Sequence, residues 1–447
     1  VANGKGGNTV TQRPVLIFCA VFLSLAGRAM PADKAPKTVS LDLESFLTER
    51  DPWHLSPTEF RERSQSKFRQ GLCKTELMYA NRGDNAFTFL GSPIEECVVR
   101  LDAATLKNLY ILLRYTRHAS DADKIKTAHS TAAAALSRLC HGPGHAQEFS
   151  WSKGEKIAIR QWKTSAARVR LYASDGVPFG YVSVLVERAD LPEREMLDRL
   201  RATVKHLPRK IVDGSSVCLA VPMRHQLRGI GACWSATLGR QFAYLGSEIE
   251  PQMAAQMTVP HEESQLRAWE SKLGVVVKSF HFFETHDAGR NAVNLLMKYN
   301  QLAAHRGDPP IKYTETAKTI TFVDGFQHMD ARVLKNIPPG KHDHEKYAEF
   351  RKMVTTFIDR SVPLSWTVTR WSSKDGKGGG RHRRMIVGYD ADRDLIYYSD
   401  PWGFDSDRHS MPMRAAFAMT LWTQAIYPHS IAHGELAVSS HKARKAP

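Results

Sequence analysis

Long hydrophobic runs are scarce in this chain of 447 residues. The one that stands out covers residues 15–26, broken only by Ser24, and it is too short to span a bilayer comfortably. Lys5 and Arg13 precede it, and the small residues Gly27, Ala29 and Ala32 follow. That three-part layout is the pattern of a secretory signal. Residues 1–32 are therefore expected to be a signal peptide, leaving an exported protein, secreted or periplasmic, with no stable membrane insertion.

Cysteine is equally sparse, with six in the whole chain. Cys19 falls inside the signal, and Cys73, Cys97, Cys140, Cys218 and Cys233 remain. An odd number in an oxidising compartment leaves at least one thiol. Two disulfides among the first four, with Cys233 unbridged, is the tidy expectation; a set of buried thiols is the alternative, and spacing does not give the pairing.

Recognisable nucleic-acid modules are missing as well. The chain is basic, with 62 Lys and Arg against 46 Asp and Glu, but the positive residues are scattered and not interleaved with aromatics. The densest groups are Arg381-His382-Arg383-Arg384 and Lys442-Ala443-Arg444-Lys445. A solvated basic surface is expected and nucleic acid is not expected as a partner. Gly378-Gly379-Gly380 lacks the Lys-Ser/Thr and the helix that follow in a phosphate-binding loop, and is taken as a mobile loop or lid beside His382. His342-Asp343-His344-Glu345 and the histidines from 281 to 286 lack a third ligand at motif spacing. Neither a metal nor a cofactor is expected.

What is present suits a globular protein of more than one domain: apolar residues make up 42% of the chain, and nine are Trp. From 33 to about 205 the chain mixes helical and strand patterns, an α+β accessory domain with no clustered catalytic groups. Residues 101–109 and 122–139 look amphipathic at helical spacing. Residues 168–172 and 179–186 look like two strands joined by the turn Ser174-Asp175-Gly176-Val177-Pro178. A charged stretch, 191–207, looks like a helical connector. A second α+β domain is expected over 206–435, with a basic tail at 436–447. Its helices are expected near 263–273, 287–304 and 344–359, and its strands at 275–280 and 363–369.

Within that second domain, the Gly-rich stretch Gln226-Leu227-Arg228-Gly229-Ile230-Gly231-Ala232 runs into Cys233. Trp234, Leu238, Phe242 and Leu245 then fall at helical spacing, and Gly246 closes the run. Cys233 is thus expected in the first turn of a buried helix, where unpaired N–H groups and the positive dipole end favour thiolate. Far downstream, Arg381-His382-Arg383-Arg384 leads into Met385-Ile386-Val387-Gly388-Tyr389. The turn Asp390-Ala391-Asp392-Arg393-Asp394 then connects to Leu395-Ile396-Tyr397-Tyr398, followed by Ser399 and Asp400. Two apolar runs about a short polar turn make an antiparallel hairpin. Its outer ends bring His382 and Asp400 together, where a carboxylate can orient an imidazole and support its charge. A thiol at a helix start, an imidazole and an acid are the parts of thiolate–imidazolium catalysis, with Gln226 and the Cys233 N–H able to hold an oxyanion.

These residues carry a family resemblance. Gln226, Cys233-Trp234-Ser235-Ala236, Pro363-Leu364 before a strand, His382 leading into Ile386-Val387-Gly388-Tyr389-Asp390, and Asp400-Pro401-Trp402-Gly403 resemble the papain-like cysteine peptidases. The likeness is nearest to the bacteriocin-leader-processing branch and its secreted bacterial relatives, and it covers about residues 215–430. It implies a papain-like catalytic domain, its Cys helix packed on an antiparallel sheet, behind a separate α+β domain. It implies Cys233 as nucleophile, His382 as general base and acid, Asp400 as orienting residue and Gln226 in the oxyanion hole. The chain departs from the pattern in having Leu227-Arg228 between Gln226 and the glycines, and Arg381 and Arg383 beside His382. Those arginines disfavour an imidazolium and favour acidic substrates. Export with the whole N-terminal unit attached is also unlike a leader peptidase fused to a transporter. The leading expectation is an exported cysteine peptidase acting on a peptide or protein. The alternatives are a transglutaminase- or deamidase-type acyl transferase on the same fold, and a non-catalytic peptide- or protein-binding module.

Overall fold

The computed structural model describes residues 41–71, 73–81, 87–102, 105–116, 121–152, 155–174, 180–202, 210–224, 233–250, 254, 266–283, 285–307, 314–316, 319–321, 343–371, 378–401 and 408–432. The expected signal segment, the domain boundary near 205, the loop with Gln226 and the C-terminal tail lie outside them. Ser40–Pro447 form one compact unit, an α+β structure built on two antiparallel sheets.

The first sheet has seven strands: β1 (Glu76–Ala80), β2 (Glu96–Asp102), β3 (Thr105–Thr116), β4 (His145–Ser152), β5 (Glu155–Lys163), β6 (Ala167–Ser174) and β7 (Gly180–Arg188), in the spatial order β1-β2-β3-β7-β6-β5-β4. The two strands expected around residues 168–186 are the β6–β7 pair. Side chains alternate across the sheet. Tyr79, Cys97, Val99, Leu109, Ile111 and Val184 face a core closed by the helix Ala122–Leu139 and by Phe46, Trp53 and Phe60. Met78, Val98, Tyr110, Tyr181 and Leu185 belong to a second core that continues into the other sheet.

One helical expectation is corrected here. Of residues 101–109, those described (101–102 and 105–109) lie in the paired strands β2 and β3, not in a helix. Leu101 pairs across the hairpin with Leu106, and Val99 with Leu109. The apolar spacing belongs to strands folding back on each other. The stretch from 191 is likewise mostly non-helical among its described residues; only Met196–Leu200 forms a helix.

In the second sheet the strands are β8 (Lys210–Asp213), β9 (Ser216–Leu219), β10 (Val275–His281), β11 (Thr314–Thr316), β12 (Thr319–Thr321), β13 (Leu364–Trp371), β14 (Gly378–Asp390), β15 (Leu395–Ser399), β16 (His409–Pro412) and β17 (Thr420–Pro428). The antiparallel run β10-β17-β13-β14-β15-β16 carries the site. β9 joins the far end of β14, where Cys218 pairs with Gly388. A Cβ at 388 would collide with the Val217 carbonyl oxygen, so only glycine allows β9 this close. Helices Thr285–Arg306 and Asp343–Asp359 contribute Leu296, Phe350, Met353 and Phe357 to the core. Gly378-Gly379-Gly380, expected as a loop, instead opens β14, with Gly378 paired to Trp371 and Gly379 to Arg370.

The disulfide expectation is corrected too. Cys73, Cys97, Cys140, Cys218 and Cys233 are all thiols. Cys97 lies fully inside the first sheet and Cys218 in β9, where each serves as a small apolar side chain. Burial pushes the Cys140 thiol up to about 11.

Charged side chains are buried where the first sheet meets the segments flanking the Cys233 helix. Arg224 forks onto Glu76 of β1, at 2.6 and 3.2 Å, and reaches Glu250 at 3.1 Å. Arg100 of β2 bonds the same two carboxylates. Arg199 bonds Glu187 of β7 at 2.7 and 2.8 Å and Glu248 at 2.8 Å. Arg224 precedes the Cys loop, while Glu248 and Glu250 follow the helix. The first sheet therefore grips both flanks of the segment that presents Cys233.

Candidate active site

Cys233 opens the helix Cys233–Tyr244, as its apolar spacing predicts. Every residue from Trp234 to Tyr244 is buried, while Cys233 itself is half-buried. Gly246 ends the helix in the left-handed region, at φ 85°. There the Ser247 N–H reaches the Phe242 carbonyl at 2.9 Å and the Gly246 N–H the Ala243 carbonyl at 3.1 Å, a glycine C-terminal cap. Polar side chains fix the helix to its surroundings. Arg240 donates to the Pro222 carbonyl at 3.0 Å, and Gln241 to the Pro363 carbonyl at 2.9 Å.

The hairpin forms as its two apolar runs require. Met385 pairs with Ser399, Ile386 with Tyr398 and Asp390 with Leu395. Asp390 steadies the turn by accepting from the Arg393 N–H at 2.9 Å. The outer ends meet: His382 Nε2 lies 3.0 Å from Asp400 Oδ1, and the two residues are 2% and 7% exposed. The second oxygen of Asp400 accepts from Arg384 Nε at 2.7 Å. Arg384 is wholly buried, its guanidinium carbon 5.0 Å from the Tyr398 ring and 5.9 Å from the Trp366 ring.

The Cys233 helix lies against the same stretch of β14. The Arg383 guanidinium stacks 3.6 Å from the Trp234 ring, so the residue after the thiol touches the residue after the imidazole. One helical turn along, Thr237 Oγ1 lies 3.5 Å from the Arg383 carbonyl. Cys233 and His382 thus stand on adjacent elements, each next in sequence to one partner of this stacked contact, which lies on the face of β14 opposite to the His382 side chain.

Comparison with family models, with curated proteins and with solved structures yields no match. The resemblance to papain-like peptidases therefore rests on the sequence motifs alone.

Of the four candidate residues, His382 and Asp400 are brought into direct contact, and Cys233 is set at the helix start beside their strand. Gln226 and Trp402-Gly403 lie outside the described residues. The crowding of His382 by Arg381 and Arg383 is corrected. Alternation along β14 turns Arg383 away from the face that His382 and Arg384 share. There it stacks on Trp234 and donates to Ser365 Oγ at 3.0 Å. Arg381 lies 5.0 Å from the Trp422 ring. The arginine that meets Asp400 is Arg384, two residues from His382, and that spacing in a strand is the sequence signal that would have found it. Among the described residues, no group of three or more His, Cys, Asp or Glu is arranged to hold a metal ion.

Proposed function

We propose that the protein is a thiol hydrolase of the papain-like kind, cleaving peptide bonds with Cys233 as nucleophile, His382 as general base and acid, and Asp400 as the group that orients His382. The observation that carries this reading is the buried 3.0 Å His382–Asp400 pair, at the strand against which the Cys233 helix is laid. With Nε2 held on Asp400, Nδ1 is the nitrogen that exchanges a proton with the thiol. His382 takes the Cys233 proton, and the thiolate attacks the scissile carbonyl carbon. The proton then passes to the leaving amine as the C–N bond breaks, leaving an acyl thioester. Water, deprotonated by His382, hydrolyses the thioester and restores the thiol. The Cys233 N–H at the helix start, with Gln226 from the preceding loop, stabilises the oxyanion.

The test is the pH dependence of Cys233 alkylation by iodoacetamide, alone and in His382→Ala. Labelling is expected to stay fast well below the ordinary thiol pKa of about 8.5 and to lose that low-pH reactivity without His382. Slow labelling with an ordinary thiol titration, identical in the variant, would overturn the reading. Peptide cleavage measured against amine incorporation into glutamine-containing peptides then separates hydrolysis from acyl transfer.

A further inference from the structure

We infer that Arg384 is a positioning residue: it keeps Asp400 ionised and fixed whichever charge His382 carries, and so sets the pH at which the imidazolium gives up its proton. The inference rests on the thiol-hydrolase reading above. A buried carboxylate needs a compensating charge. His382 alone would supply one only while protonated, yet a general base has to spend part of each cycle neutral. Without Arg384, loss of the imidazolium proton would take a compensating positive charge from beside a buried carboxylate. A guanidinium is a permanent cation, and that of Arg384 removes this difficulty.

The geometry points the same way. Arg384 holds Asp400 Oδ2 at 2.7 Å while His382 holds Oδ1 at 3.0 Å, so the carboxylate is pinned through both oxygens. Among the described residues, Asp400 is the only hydrogen-bond partner of the Arg384 side chain, and both terminal nitrogens are buried with none. The faces of Tyr398 and Trp366 take up the rest of the guanidinium. A buried arginine with a single polar partner is costly, which argues that its bond to Asp400 is what the position serves. Charge is also balanced through the cycle. With His382 neutral, Arg384 and Asp400 cancel; with His382 protonated, the extra positive charge is the one that a Cys233 thiolate neutralises.

Removing a cation from the other side of Asp400 stabilises the imidazolium, so the effect has a definite sign. Among the described residues, the charged or ionisable groups on His382's strand and the elements beside it include Arg381 and Arg383 on β14, Cys233 at the start of the adjoining helix, and His409 of β16, whose ring lies 5.3 Å from that of Tyr398. Arg383 faces away, and all four are unchanged in the variants below.

The experiment compares the pH profile of Cys233 alkylation by iodoacetamide in the full chain with those of Arg384→Met and Arg384→Lys. Met keeps the length without the charge, and Lys keeps the charge without the planar fork. In Arg384→Met the alkaline inflection, where the imidazolium deprotonates, is expected to rise by about one pH unit or more. In Arg384→Lys it should stay near the parent value while the labelling rate falls. A residue with only a packing role would lower the melting temperature in both variants and move neither inflection. A parent protein with an activated thiol and an Arg384→Met profile superimposable on it would overturn the inference and leave the proposed function standing. An unactivated parent thiol would overturn both. Should Arg384→Met fail to fold, Arg384→Lys decides: an unchanged rate and profile in that variant overturn the positioning role.

Discussion

Two buried charge clusters in this molecule solve different problems. At the junction of the first sheet with the segments flanking the Cys233 helix, Arg224 and Arg100 share Glu76 and Glu250. That makes two cations and two anions. Glu96 adds a third carboxyl, wholly buried, with neither oxygen hydrogen-bonded among the described residues. Its pKa is pushed up to about 8, chiefly by burial, with Arg224 pulling it back and Glu250 and Glu76 adding to the rise. At neutral pH Glu96 is therefore mostly an uncharged acid, and the cluster is balanced without it. In the candidate site one carboxylate is shared between a permanent cation, Arg384, and one that can lose its proton, His382. The first arrangement fixes its charge and ties parts of the chain together. The second lets its charge change, and only the second suits proton transfer.

The junction should be the more fragile of the two when a charge is deleted. Arg224→Met leaves Arg100 as one cation against the two anions Glu76 and Glu250, and breaking a buried pair by removing one partner costs about 3–5 kcal/mol. Urea unfolding near neutral pH measures it. A loss below about 1 kcal/mol would mean that the cluster is poorly formed in solution, and the contrast drawn above would fail.

A smaller effect, with a distinctive pH dependence, belongs to Glu96. A carboxyl whose folded pKa is raised contributes fully below its unfolded value, and that contribution is lost as pH rises through the folded value. With an ordinary value of 4.5 and a folded value of about 8, the loss falls across that window. It amounts to a few kcal/mol at the upper end. Melting temperatures taken near pH 5 and near pH 8 should fall with pH in the parent and fall less in Glu96→Gln. The amide's own burial cost is independent of pH and drops out of the slope. Equal slopes in the two proteins would show that Glu96 already ionises without penalty.

Much of the site was legible in the sequence because its signals are local. The hairpin shows as two apolar runs about Asp390–Asp394, and such a hairpin has to bring residues 382 and 400 together. The Cys233 helix shows through Trp234, Leu238 and Phe242 and the closing Gly246. The chain order cannot reveal which far-apart segments share a boundary, and the junction is made of exactly such pairs, Glu76 with Arg224 and Glu187 with Arg199. The helical appearance of residues 101–109 failed for a related reason: Leu101 and Leu106 are neighbours through cross-strand pairing, which a one-dimensional periodicity mistakes for a turn of helix. Arg384 was hidden by proximity of another kind. Arg381 and Arg383 border His382 more closely in sequence, but a strand sends alternate residues to opposite faces.

That alternation supports the smallest prediction, which concerns Arg383. Its guanidinium stacks on Trp234 at 3.6 Å and lies 5.3 Å from the Trp422 ring, on the face of β14 turned away from His382. Arg383→Met removes the cation–π contact and the bond to Ser365 while keeping an apolar stem against the two rings. The expected cost is about 1 kcal/mol, seen as a modest drop in melting temperature. The alkaline inflection of Cys233 labelling should stay where it is in the parent, because the lost charge does not share the His382–Asp400 face. A shift comparable to that of Arg384→Met would mean that the field of Arg383 reaches the imidazole through the strand. Both arginines would then tune His382, and the division of labour between the two faces of β14 would be wrong.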